Sequence, residues 1–135
     1  MQLHRDREKF EEAGARLAVI GNGTPRQAEH FMEAYSLEGM QLLLDPERKT
    51  YRPAGTKIAN TAELLGPRVV AKGTMTAARE RLVQGPTQGH AAQLGGVLVI
   101  APDGRVTWAH MANDAGDNPP NDEVLEAARQ AAVSV

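Results

Sequence analysis

The chain has 135 residues, no cysteine, and charges of both signs intermixed to a formal net charge of -2. That length suits one domain, residues 1–135, able to bury a core without staples. The missing cysteine excludes disulfides, thiolate metal sites and any mechanism in which this chain provides a thiol nucleophile, and the lack of a Lys/Arg block or a long apolar run argues against nucleic-acid and membrane partners.

The first predicted element is a helix over residues 2–13, with Leu3, Phe10 and Ala13 near one face and Gly14 placed to close it. It has no obvious N-cap. The start "MQLHRDREKFEEAG" also lacks the apolar centre of a secretion signal, so the default expectation is a cytoplasmic location. Residues 16–21, "RLAVIG", read as a short strand buried on both faces. A second helix runs from Pro25 to about Tyr35, where Ala28, Phe31, Met32 and Tyr35 repeat at helical spacing. "MQLLLDPE" gives another strand, and Asp45 with Pro46 is expected to start a helical turn reaching about Arg52, with Glu47, Arg48 and Lys49 on a solvent face.

Between Pro53 and Gly89 the pattern loosens, with "NTAELLG" and "TMTAARERLVQG" as short helical candidates. Strong signals return in "GGVLVIAPDGRVTWAH", which reads as an antiparallel hairpin turning at Pro-Asp-Gly. Trp108 is expected in the core. "NDAGDNPPN" is loop, and Asn121 or Asp122 caps a final helix whose apolar face is Val124, Leu125, Ala128 and Ala132. Helix, strand, helix, strand, helical insert, hairpin, helix defines an α/β layered domain.

The stretch "LAVIGNGTPRQAEHF" invites a phosphate-cradle reading, because a strand, a glycine turn and a helix start aim N–H groups at one spot. Neither nucleotide fingerprint is met after Gly21 and Gly23. Gly21, Asn22, Gly23 and Thr24 therefore read as a structural turn, with Thr24 as N-cap and Pro25 as first helical residue. An anion seat at this turn is kept as a minor reading.

Four stretches, "AVIGNGTPRQAEHFMEAY", "LLLDPERKTYRPAG", "QLGGVLVIAPDGRVTWAH" and "AGDNPP", together resemble the peroxiredoxin-like branch of the alkyl hydroperoxide reductase and thiol-specific antioxidant superfamily. The resemblance covers nearly the whole chain and is weakest over residues 56–90, where Gly89-His90-Ala91-Ala92 departs from the usual Gly-Asp. It implies a thioredoxin-like sheet flanked by helices and thiol- or selenol-dependent reduction of peroxides. In that family the redox motif ends the first central strand just ahead of a helix, and the helix at residues 2–13 resembles that helix entered after its first turn. The expectation is a truncated domain lacking the first central strand, with the motif immediately ahead of Met1. Selenocysteine encoded by an upstream UGA, read as a stop, would produce such a start. The upstream DNA decides this.

Taken alone, the chain is then expected to be redox-inert, since its remaining residues cannot replace sulfur or selenium. The family's missing strand would sit between residues 16–21 and 96–101. The expectations are direct closure of that gap, a strand borrowed from another copy, or marginal stability. A competing reading is a non-enzymatic interaction module that docks a partner strand through an open sheet edge. Among partners, a homo-oligomer or strand exchange between copies is the separate expectation. A thiol reductant enters as partner only with the redox motif.

Gln93, Gly95 and Gly96 occupy the place where the family faces its redox centre and are the substrate-facing candidates. A glycine pair for close packing is the plainer reading of Gly95 and Gly96. His110, Asp114 and Asp117 have metal-compatible side chains, but one local histidine and two loop acids more often cap turns, so no metal or cofactor is assigned. His4 and His90 are expected to be solvated. Lys57, Arg68, Lys72, Arg79 and Arg81 read as solvated surface rather than a convergent anion site.

Overall fold

A computed structural model describes residues 2–56 and 93–133. A 3-10 turn, Leu3–Asp6, runs into α1, Arg7–Glu12, which ends where Gly14 takes a positive φ of 80°. Strand β1 is Ala18–Gly21, α2 is Pro25–Ala34 and β2 is Gln41–Leu44. The hairpin strands β3, Gly96–Ile100, and β4, Val106–Met111, lead to α3, Asn121–Val133. The insert candidates, the middle basic residues and His90 lie outside the described residues.

Among the described residues, the four strands form two separate two-stranded sheets. β1 and β2 pair in parallel, Ala18 opposite Gln41 through Gly21 opposite Leu44. β3 and β4 pair antiparallel, Gly96 opposite Met111, with a register shift between Val99 and Ile100. The gap between β1 and β3 is thus not closed by direct pairing of those two strands. Strand alternation identifies the open side of β1. The Gly21 carbonyl accepts from the Asp45 N–H on the β2 side, so the Ile20 carbonyl points the other way.

The hairpin forms as its letters demand. The Gly104 N–H bonds the Ala101 carbonyl at 2.9 Å, the Ala101 N–H bonds the Arg105 carbonyl at 2.9 Å, and Gly104 sits at φ 89°, where a side chain would be strained. Behind it, α3 contributes Val124, Leu125, Ala127, Ala128 and Ala131 to a core shared with Phe10, Val99 and Ala101. Leu3, Ala13, Leu17, Val97 and Trp108 pack around that core as half-buried neighbours, so Trp108 stands at its margin rather than inside it.

Several local expectations need correction. β1 is not buried on both faces: Ala18 and Ile20 are exposed, while Val19 and Gly21 are half-buried. Among the described residues α2 packs against β2, and covering both faces of a parallel pair takes a layer on each side. The apolar face of α2 is only half-buried at Ala28, Phe31 and Met32, and Tyr35 is exposed. On α3 the buried set includes Ala127 and Ala131, whereas Ala132 is exposed. The helix is not capped by the Asn121 or Asp122 side chain either, because it begins at Asn121, and the Pro120 carbonyl receives the Glu123 and Val124 N–H groups. Residues 45–52 form turns instead of a helix. Arg48 adopts φ 57°, a left-handed conformation that stops a right-handed helix.

Candidate functional site

The turn at Gly21–Thr24 is a complete helix start. The Thr24 side chain accepts from the Gln27 N–H at 3.4 Å, and the Gln27 side chain accepts from the Thr24 N–H at 2.7 Å, a reciprocal capping box. Both partners satisfy backbone donors that helix geometry leaves free. At Gly23 a Cβ would stand 2.7 Å from the Gln27 Oε1, so glycine makes room for the cap. An anion drawing on the Thr24 N–H would have to displace the Gln27 side chain from it.

A second polar assembly lies in the 45–56 segment after β2. The Asp45 carboxylate accepts from the Lys49 N–H at 2.9 Å and from the Thr50 N–H and hydroxyl at 2.8 and 2.6 Å. The Thr50 hydrogen bonds, side chain first, with help from Lys49, hold the Asp45 carboxyl below its usual value. These bonds wrap the segment into a compact loop, so Asp45 organises a turn rather than capping a helix. From that loop the Tyr51 hydroxyl donates 2.7 Å to the Ile20 carbonyl, on the side of β1 away from β2.

Gln93, at the approach to β3, joins the same loop. Its Oε1 accepts from Arg48 Nη1 at 3.3 Å, and its Nε2 donates to Thr56 Oγ1 at 3.1 Å and to the Leu94 carbonyl at 3.0 Å. The Thr56 hydroxyl passes the chain on to the Tyr51 carbonyl at 2.7 Å. The loop therefore touches both half-sheets, β1 through Tyr51 and the start of β3 through Gln93. Arg48 is half-buried and turned inward, unlike the solvent-facing residue its neighbours suggest. Its Nε is covered and has no hydrogen-bond partner. Glu47 and Lys49 do lie on the surface and pair with each other at 2.7 Å.

The two glycines beside Gln93 differ. A Cβ at Gly95 would meet open space, whereas one at Gly96 would stand 2.5 Å from the Met111 sulfur and 2.8 Å from the His110 carbonyl. Gly96 permits that close crossing of β3 and β4.

At the far end of β4, His110 Nε2 meets Asp117 Oδ1 at 2.8 Å, and the Asn113 N–H donates to Asp117 Oδ2 at 2.9 Å. Burial pushes the Asp117 carboxyl up, but the bonds from Asn113 and His110 and the attraction of the His110 ring outweigh it, leaving the group below its usual value. Asp114 is buried and accepts from the Gly116 N–H at 2.9 Å. The structure thus joins His110 to Asp117 and gives Asp114 a separate turn to hold. Among the described residues, no group of three or more His, Cys, Asp or Glu side chains is placed to hold a metal ion. Trp108 stacks on His110 with ring centroids 6.3 Å apart.

His4 is half-buried, with a covered Nδ1 that has no partner, rather than solvated. It lies in the 3-10 turn that Asn121 of α3 grips by donating to the Gln2 carbonyl and to Asp6. A cleft of about 200 Å³ opens beside Arg7, Glu11, Arg16, Leu17, Met40 and Gln41, at the N-terminal ends of β1 and β2. It lies at the opposite ends of these strands from Gly21 and the Asp45 loop. Among the described residues, no helix is long and apolar enough to cross a membrane.

An α/β chain with parallel strands, a hairpin and a closing helix, and a polar loop set across the strand ends, is the setting in which family comparison becomes informative. The model of the AhpC/TSA antioxidant enzyme family matches residues 2–114, and the chain belongs to that family, whose fold is thioredoxin-like. It is similar to the protein called Peroxiredoxin-like 2C from Homo sapiens, 30% identical over 129 residues, which are 89% of this chain and 56% of that protein. The Bos taurus protein of the same name is 32% identical over 128 residues, 87% of this chain and 54% of its own length. That of Mus musculus is 30% identical over 124 residues, covering 85% and 54% respectively. The chain therefore spans about half the length of the curated relatives it matches. No solved structure gives a significant match.

Proposed function

We propose that these 135 residues form the redox-inert part of a peroxiredoxin-like antioxidant fold. Peroxide reduction would require a thiol or selenol on a segment that these residues do not include, together with the strand that carries it. The observation behind this reading is a cysteine count of zero in a chain that belongs to an antioxidant-enzyme family. A two-electron reduction of a hydroperoxide needs an atom that can be oxidised and then recycled, and a thiolate serves because its nucleophilicity and leaving-group chemistry are matched to that cycle. Glutamine, histidine and carboxylates do not cycle in this way.

Among the described residues β1–β2 and β3–β4 stand as separate sheets, which supports the same reading, since one added strand could pair with both and unite them. The chain alone should consume hydrogen peroxide with a thiol donor at the background rate. Fusing to its N-terminus a segment that encodes a strand and a Cys-x-x-Cys or selenocysteine motif should restore turnover. Turnover by the 135-residue chain itself would sink the proposal, as would a fused segment that folds and remains inactive. Upstream genomic DNA offers an independent check through an in-frame Cys or UGA codon.

A second reading, strand exchange between copies of this chain, is favoured by the exposed apolar residues on both sheets: Ile20, Leu43, Leu44, Leu98, Ile100 and Val106. Exposed edges of this composition recruit strands. It expects a dimer mass by light scattering and the loss of that mass when Ile20 or Ile100 is replaced by lysine. A monomer at all concentrations would retire it.

A further inference from the structure

The cleft at the N-terminal ends of β1 and β2 encloses about 200 Å³ and combines two kinds of surface. Its apolar lining is Leu17, packed against the core around Phe10, and the buried Met40. Its charged lining is Arg7 and Arg16 against a single acid, Glu11. Two cations and one anion leave the cleft with a net positive charge.

The two arginines stand differently. Arg7 Nε donates to Glu11 Oε1 at 2.6 Å, and its Nη1 reaches the Glu38 carbonyl at 3.5 Å. Gly39, at φ 77°, sets its backbone against the same guanidinium, where a Cβ would meet Nη1 at 3.5 Å and Nη2 at 4.0 Å. Arg7 is thereby fixed along the cleft. Arg16 is exposed and enters none of the side-chain hydrogen bonds or ion pairs among the described residues. The five donors of its guanidinium are uncommitted, and no protein partner has to be displaced to reach them.

We propose that this cleft binds a small aliphatic carboxylate, with the Arg16 fork on the two carboxylate oxygens, Arg7 adding to the attraction, and the hydrocarbon chain on Leu17 and Met40. A planar guanidinium matches paired oxygens of one group. An inorganic anion would leave the apolar lining unused, and a neutral apolar molecule would leave the cationic lining unmatched. Pockets for drug-sized molecules run from roughly 300 Å³ upward, so a cleft of about 200 Å³ suits a chain of a few carbons. The site lies at the opposite strand ends from the Asp45 loop and needs no thiol, so it is independent of the redox reading above.

The test is an NMR titration of the isotope-labelled 135-residue chain with sodium hexanoate and, separately, sodium acetate and inorganic phosphate, at neutral pH and constant ionic strength maintained with chloride. Hexanoate should give saturable shifts in the amides of residues 15–17 and 39–41, at a lower midpoint than either acetate or phosphate. Arg16→Gln, at an exposed position, should keep the fold and raise the hexanoate midpoint by about tenfold or more, the loss expected for a charge-assisted hydrogen-bonded pair. Glu11→Gln removes the acid from the cleft and should lower the midpoint. The exposed Arg105→Gln, on the hairpin turn, should leave it unchanged. Shifts that never saturate, a hexanoate midpoint no lower than that of acetate or phosphate, or an Arg16→Gln midpoint equal to the parent's would overturn the proposal.

Discussion

The hairpin half of the molecule and the β1–β2 half are built from similarly apolar strands yet differ in what covers them. β3 and β4 lie against α3, and their core closes around Phe10 at 1% exposure, with Val99, Ala101 and five residues of α3. β1 and β2 have α2 as their helix, but α2 contributes no buried residue. Among the described residues, the buried apolar groups there are Leu37 and Met40, in the connection from α2 to β2. Strand composition did not set this difference. A strand becomes interior only when its neighbours are present, and the parallel pair, which ordinarily needs cover on both faces, has less of it.

The strongest way to break this contrast is to cut each half at its best-packed aromatic. Phe10→Ala should destabilise the chain by about 3–5 kcal/mol, the range for emptying a closed aromatic site. Phe31→Ala, on the half-buried face of α2, should lose well under half of that. Urea denaturation of both variants checks this, and equal losses would erase the distinction. Amide hydrogen exchange sharpens it, since β3, β4 and α3 should be protected longer than β1 and β2.

A smaller effect is expected at the strand crossing. Gly96→Ala presses a methyl group against the His110 carbonyl and the Met111 sulfur, and backbone cannot yield cheaply, so a loss of roughly 1–3 kcal/mol should appear as a lower melting temperature. Gly95→Ala meets open space and serves as the matched control. In the other half, Thr24→Ala removes the capping hydroxyl of α2 and should cost about 1 kcal/mol. Helical circular dichroism should fall little if the sheet holds α2 in place and more if the cap does.

The last effect concerns pH. The Asp117 carboxyl lies below its usual 3.8 in the folded chain. A depressed folded value means that its contribution is fully present above the unfolded carboxylate value and is lost as pH falls through the folded one. Asp117→Asn should therefore narrow the stability difference from the parent only in acid, by about 1 kcal/mol for this half-buried pair. A difference that persists unchanged at the lowest pH would mean that the pairing does not titrate with folding.

What could be read in the sequence was local. The Thr24 cap, Pro25 start, Pro-Asp-Gly turn and the apolar spacing of α3 each depend on residues within a few positions of one another, and the structure places those elements accordingly. Burial of β1 and Ala132 was not legible, because exposure depends on which distant elements arrive. The 45–52 turn could have been anticipated: an aspartate with Thr50 five positions on can bond its own downstream backbone in place of a helix. At the candidate site, the sequence shows that Gln93 precedes the hairpin but not what it bonds. Its partners Arg48 and Thr56 were not legible, since they stand 45 and 37 positions away and nothing in their immediate neighbours signals the meeting.

The bond from the Tyr51 phenol to the Ile20 carbonyl has a consequence for assembly. An incoming β-ribbon reads an edge by zipping successive amides onto successive carbonyls, and on β1 one of those rungs is already claimed by a bulky ring. Any ribbon that advances along this side must first evict the ring, which sets a threshold against casual fibre growth and leaves a specific entrant able to cross it.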